Sequence, residues 1–160
     1  MMVVAVGITS EELRTTPSPI VRGGRQVGLL KCLAVTGDAG FRRRLAAVAD
    51  LAGWDECDVP ESSADIQATA DGDYQLVIVD IARPLGDRVN DSVELAEEFA
   101  ARPGTLLVVC GSEDGVDEEL WARQLGAWVY LPGVATGDSL VSLLSEAGRL
   151  SARRPSRVCV

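Results

Sequence analysis

The chain has no histidine, one lysine, no Cys-x-x-Cys pair and no long apolar run. Without histidine there is no Cys/His zinc set, and a hydroxyl or thiol nucleophile lacks its usual base. The four cysteines, Cys32, Cys57, Cys110 and Cys159, are far apart in sequence, so a structural metal site is not expected. The single lysine, Lys31, is not preceded by the glycines of a phosphate-binding P-loop, which removes that nucleotide-binding motif. Gly37 and Gly40 follow an apolar run but lack the first glycine of a dinucleotide-binding turn. No stretch reaches the roughly 18 apolar residues that cross a bilayer, and the apolar start Met1 to Ile8 has no basic segment before it. A soluble, cytoplasmic protein that does not engage membranes is expected. Reduced cysteines inside apolar runs fit that setting.

With 160 residues, 47% of them hydrophobic, the chain suffices for one core. Residues 31 to 150 carry nine basic against twenty-two acidic groups, within a net charge of −9. A body this acidic repels phosphate backbones, which argues against nucleic-acid binding by the folded part. Residues 1 to 30 hold Pro17, Pro19, Gly23 and Gly24 without sustained periodicity, and read as a loosely packed or disordered extension. Residues 151 to 160, with Arg153, Arg154 and Arg157, read as a basic tail.

Between these ends, short apolar runs alternate with amphipathic stretches. Strands are expected at Cys32 to Val35, Trp54 to Val59, Leu76 to Ile81, Leu106 to Val109 and Ala127 to Leu131. The run from Leu76 to Ile81 is dominated by β-branched residues, as in a central parallel strand covered on both faces. After the first strand, Phe41, Leu45, Val48, Ala49 and Ala52 form one helical stripe ending at Gly53. A weaker helix follows from Ser62 to Ala70. A third is expected from Asp91, which with Glu94 forms a capping box, to Ala101. Asp114 to Leu125 and Asp138 to Leu150 complete the set, the last with Leu140, Leu143, Leu144 and Ala147 inward. Five strands alternating with helices of this length imply right-handed crossovers and a doubly wound, five-stranded parallel sheet of the α/β class. Such sheets bind or react at the carboxyl ends of their strands.

At those ends the chain resembles a two-component response-regulator receiver domain, CheY-like, over residues 31 to 150. The resemblance rests on VIVDIARP (Val77 to Pro84), GDAGFRRRLAAVADLAGW (Gly37 to Trp54) and LGAWVYLPG (Leu125 to Gly133). It implies a flavodoxin-like (βα)5 fold with strand order 2-1-3-4-5. It also implies that Asp80, closing the third strand, is the phosphoacceptor position. Receivers place two acids after the first strand to hold Mg²⁺, and those places fall here on Thr36 and Gly37, with Asp38 one residue later. Asp38 and Asp80 are thus the residues left for a metal, and no other cofactor is implied. The hydroxyl after the fourth strand is replaced by Cys110, the lysine after the fifth by Gly133, and the switch aromatic corresponds to Tyr130. No realignment restores the lysine, because Lys31 opens the first strand, and no arginine follows the fifth strand until Arg149.

The resulting expectation is an atypical, stand-alone receiver that is not an enzyme. It signals through a protein partner, a histidine kinase or a downstream effector, with phosphorylation impaired. One alternative is a phosphorelay receiver still phosphorylated at Asp80, with Asp38 on the metal. Another is a small thiol or redox protein using Cys110. No effector domain or DNA-reading motif is seen after Leu150, so output goes through a partner or a homodimer. Trp121 and Trp128 are expected to cluster near the face receivers use for partners.

Overall fold

A computed structural model describes residues 29–133 and 137–153. Most of the expected extension and of the basic tail, including Cys159, lies outside the described residues. The order of elements is β1 (Lys31–Val35), α1 (Ala39–Leu51), β2 (Glu56–Asp58), α2 (Ser63–Thr69), β3 (Leu76–Asp80), α3 (Val89–Ala100), β4 (Leu106–Gly111), α4 (Val116–Leu125), β5 (Val129–Pro132) and α5 (Gly137–Arg153). All strand pairs are parallel, and the sheet runs β2-β1-β3-β4-β5. This is the doubly wound topology expected from the sequence.

Burial explains the sheet order. Every residue of β3 (LVIVD) and β4 (LLVVCG) is buried, as befits inner strands covered on both faces. The edge strands are shorter and more exposed: β2 has three residues, and β5 is half-buried except for its exposed Pro132. On one face, α1 and α5 pack Phe41, Leu45, Leu140, Leu144 and Ala147 against Cys32, Ile78 and Val108. On the other, α2, α3 and α4 bring Ile66, Leu95, Phe99 and Ala122 against Leu33, Val77 and Val109. The Trp54 indole N–H donates to the Leu144 carbonyl at 3.0 Å, which ties α5 to the turn after α1.

Helix ends follow local chemistry. Asp38 caps α1 by accepting from the Phe41 amide at 2.8 Å, and Ser62 caps α2 through Asp65 N–H. Gly126, at φ +91°, ends α4 in the left-handed region that favours glycine. The capping box expected at Asp91 and Glu94 is not formed. The helix begins two residues earlier, at Val89, with Arg88 at the cap position and no side-chain cap, and Asp91 supplies negative charge within the first turn. Nor do Trp121 and Trp128 cluster. Trp121 packs with the α2/α3/α4 layer and Trp128 with the α1/α5 layer, on opposite faces of the sheet.

Candidate functional site

Parallel strands deliver their last residues to one edge, and the loops after β1, β3, β4 and β5 meet there. Asp80 is the final residue of β3, with its side chain only 1% exposed. A buried carboxylate must be hydrogen-bonded and paired, and both of its oxygens are engaged by the protein. The Thr36 hydroxyl donates to Oδ2 at 2.7 Å. The Arg83 backbone N–H donates to Oδ1 at 3.0 Å, because the chain after β3 curls back over the aspartate. The Arg83 guanidinium then completes the pairing, with Nε 3.1 Å from Oδ2.

The same guanidinium bridges to the first loop. Its Nη1 lies 2.8 Å from Asp38 Oδ2, while Asp38 Oδ1 caps α1. The Phe41 amide, and beyond it the Arg83 charge, hold the Asp38 carboxyl below the usual carboxylate range against the opposing effect of burial. The guanidinium carbon also sits 5.2 Å from the centroid of the Phe41 ring, a cation–π contact. Asp38 and Asp80, the two residues left for a metal in the sequence, therefore converge on one point, and an arginine occupies it. Sequence reasoning looked for a substitute cation after the fifth strand, whereas the structure supplies one from the third. The only signal was Arg83 itself, three residues after Asp80.

Position 37, where the resemblance expects an acid, is sterically confined. The Gly37 amide donates to the Arg83 carbonyl at 2.6 Å, and a Cβ on Gly37 would lie 2.4 Å from the Pro84 carbonyl oxygen. Any side chain there forces the two loops apart. Thr36 is fully buried, with its hydroxyl committed to Asp80 and to accepting from the Asp38 amide at 3.2 Å. These residues do not fit Mg²⁺, which wants several oxygen ligands, waters among them, in octahedral order. Among the described residues no three His, Cys, Asp or Glu side chains gather to hold a metal ion.

On the far side, Cys110 stands in register with Asp80 and Leu131. It is buried, and burial, helped by the Asp80 charge, pushes its thiol up to about 12. That is the reverse of the lowered value an activated thiol needs. The next hydroxyl, Ser112, is held by Glu118, which accepts from the Ser112 amide at 2.8 Å. Tyr130 points to the same carboxylate. Its hydroxyl lies 3.2 Å from Glu118 Oε2 and from the Ser112 carbonyl, and burial followed by the Glu118 charge raises it to about 12. Gly133 has φ +70°, and a Cβ on it would lie 2.7 Å from Glu113 Cγ. An acidic side chain thus leans over the place where the receiver pattern puts lysine. A shallow groove of about 240 Å³ remains between these loops, lined by Ala82, Arg83, Gly111, Ser112, Glu113 and Gly133.

No protein-family model matches the sequence, and no curated protein matches it. Solved structures do. A response-regulator receiver domain (CheY-like) of Methanospirillum hungatei superposes with a TM-score of 0.60 at 18% identity, covering 77% of this chain and 99% of that one. An orphan response regulator of H. pylori gives 0.60 at 19%, covering 79% and 98%. A response regulator protein of Burkholderia multivorans gives 0.59 at 23%, covering 76% and 96%. The chain has the fold of a CheY-like receiver domain. Among the described residues no helix is long and apolar enough to cross a membrane.

Proposed function

We propose that the domain is an atypical receiver that acts in signal transduction by binding a protein partner, with phosphoryl transfer to Asp80 suppressed. The observation that carries this reading is the Arg83 guanidinium bound to Asp80 and Asp38 together. Phosphoryl transfer to a carboxylate needs a free oxygen as nucleophile and mobile cationic charge to screen the incoming group. Here Oδ1 accepts the Arg83 amide, Oδ2 accepts Thr36 and the guanidinium, and the far side of the pocket offers Glu113 at the lysine position. A domain with this fold and a blocked acceptor still presents surfaces. Val116 and Leu120 stand exposed on α4, apolar side chains of the kind an interface covers, and a histidine kinase or downstream effector is the class of partner the fold suggests.

Incubating the protein with a small phosphodonor such as acetyl phosphate and Mg²⁺, followed by intact mass measurement, tests the reading. No mass gain is expected. Addition of one phosphoryl group, abolished in Asp80→Asn, would overturn it in favour of a receiver phosphorylated at Asp80. The second alternative, a thiol protein working through Cys110, gains no support from a buried thiol raised to about 12.

A further inference from the structure

Cys32 on β1 and Cys57 on β2 are direct partners in the parallel ladder. Neighbouring strands run about 4.8 Å apart, within the range of roughly 4.4 to 6.8 Å between Cα atoms that a disulfide spans. Register also fixes direction. Paired residues of parallel strands present their side chains on the same face, and both cysteines pack with the α1/α5 layer. They differ in access: Cys32 is 1% exposed, whereas Cys57 is half-buried on the three-residue edge strand.

This asymmetry assigns an order of reaction. The hydrogen bond from Cys32 holds Cys57 below the ordinary thiol value, against burial and the nearby Asp58 charge, while Cys32 is held well above it. Cys57 is also the thiol that solvent reaches. Cys32 is placed to resolve whatever forms on it.

We propose that Cys32 and Cys57 form a redox modification site, which a low-molecular-mass disulfide of the glutathione class converts to a cross-strand disulfide. In the first step the Cys57 thiolate attacks one sulfur of the oxidant. A Cys57–S–S–R bond forms, the oxidant's own S–S bond breaks, and one R–S⁻ leaves and takes up a proton. In the second step Cys32 gives its proton to solvent and attacks the Cys57 sulfur. The protein disulfide forms as the second R–S⁻ departs and is protonated. The two cysteines lose two electrons and two protons, and R–S–S–R is reduced to two R–SH. The product staples the short edge strand β2 to β1, the strand that leads into Thr36. The site depends on the β1–β2 pairing and not on any phosphate chemistry.

The test uses the full chain with Cys159→Ser as background, reduced and then titrated with oxidised glutathione, acid-quenched, and read by intact mass and non-reducing peptide mapping. The expected result is the loss of two hydrogens, with the Cys32 and Cys57 peptides linked and Cys110 free. In Cys32→Ser the reaction should halt at one stable glutathione adduct on Cys57. In Cys57→Ser, Cys32 should stay unmodified under the same conditions. Circular dichroism of each variant establishes that it is folded, and alanine replaces serine at the same position in any variant that is not. A persistent adduct on Cys57 beside a free Cys32 in the background chain would overturn the proposal, as would a Cys57 no more reactive than Cys110.

Discussion

Replacing Arg83 with methionine keeps the bulk of the side chain over Phe41 and removes the charge that Asp80 and Asp38 share. Asp80 is left 1% exposed, with the Thr36 hydroxyl and one backbone N–H as its remaining donors. Breaking a fully buried ion pair costs about 3 to 5 kcal/mol. The Arg83 side chain is 29% exposed, and two neutral donors stay in place, so the expected loss is about 2 kcal/mol. The double-mutant cycle with Asp80→Asn isolates the pair, because Asp80→Asn/Arg83→Met leaves no unpaired charge on β3. A coupling of about 1 to 2 kcal/mol is expected from urea unfolding followed by circular dichroism. It should persist at high salt, where an exposed pair such as Arg123–Glu119 is screened. A coupling under about 0.3 kcal/mol would refute the claim that Arg83 and Asp80 act as a pair.

Gly37→Ala should destabilise the domain by about 2 kcal/mol or more in the same unfolding assay, because its Cβ meets the Pro84 carbonyl at 2.4 Å. For the same reason Gly37→Asp, which restores an acid to the receiver pattern, should not restore phosphorylation by acetyl phosphate. Cys110 should resist iodoacetamide at neutral pH until urea unfolds the protein, and its labelling should still be climbing well above pH 9, because a thiol raised to about 12 is still almost wholly neutral at pH 9. The Asp38 carboxyl is lowered in the folded state from an ordinary value of 3.8. Its contribution to stability is therefore complete above that value and lost as pH falls through the lower folded one. Urea midpoints from pH 6 downward should show an acid loss that Asp38→Asn partly abolishes, and an identical acid limb in the two proteins would contradict the assignment.

The sheet was legible because its signals are local. The apolar runs at Leu76–Val79 and Leu106–Val109 are buried as that composition implies, and the stripe from Phe41 to Ala49 packs as its spacing indicates. Asp80 was legible as the polar end of an apolar run. What escaped is non-local. Arg83 reaches Asp38, 45 residues away, only because the loop after β3 folds back, and nothing in the local pattern encodes that reversal. The close approach of Gly37 to Pro84 is of the same kind. The false capping box at Asp91 shows the reverse problem, since an acid followed three residues later by glutamate also occurs inside helices. The misplaced tryptophans trace to a boundary. β5 begins at Val129, so Trp128 precedes the strand and its facing does not follow from strand alternation.

The interlacing of the first and third loops has a mechanical consequence. A backbone bond from Gly37 to Arg83, an ion pair from Arg83 to Asp38 and a hydroxyl bridge from Thr36 to Asp80 close the edge of the sheet as a seam. Any molecule entering there has to unpick three fastenings at once, so thermal fluctuations of either loop are shared by its neighbour, and the end of β3 behaves as one stiff body with the start of α1.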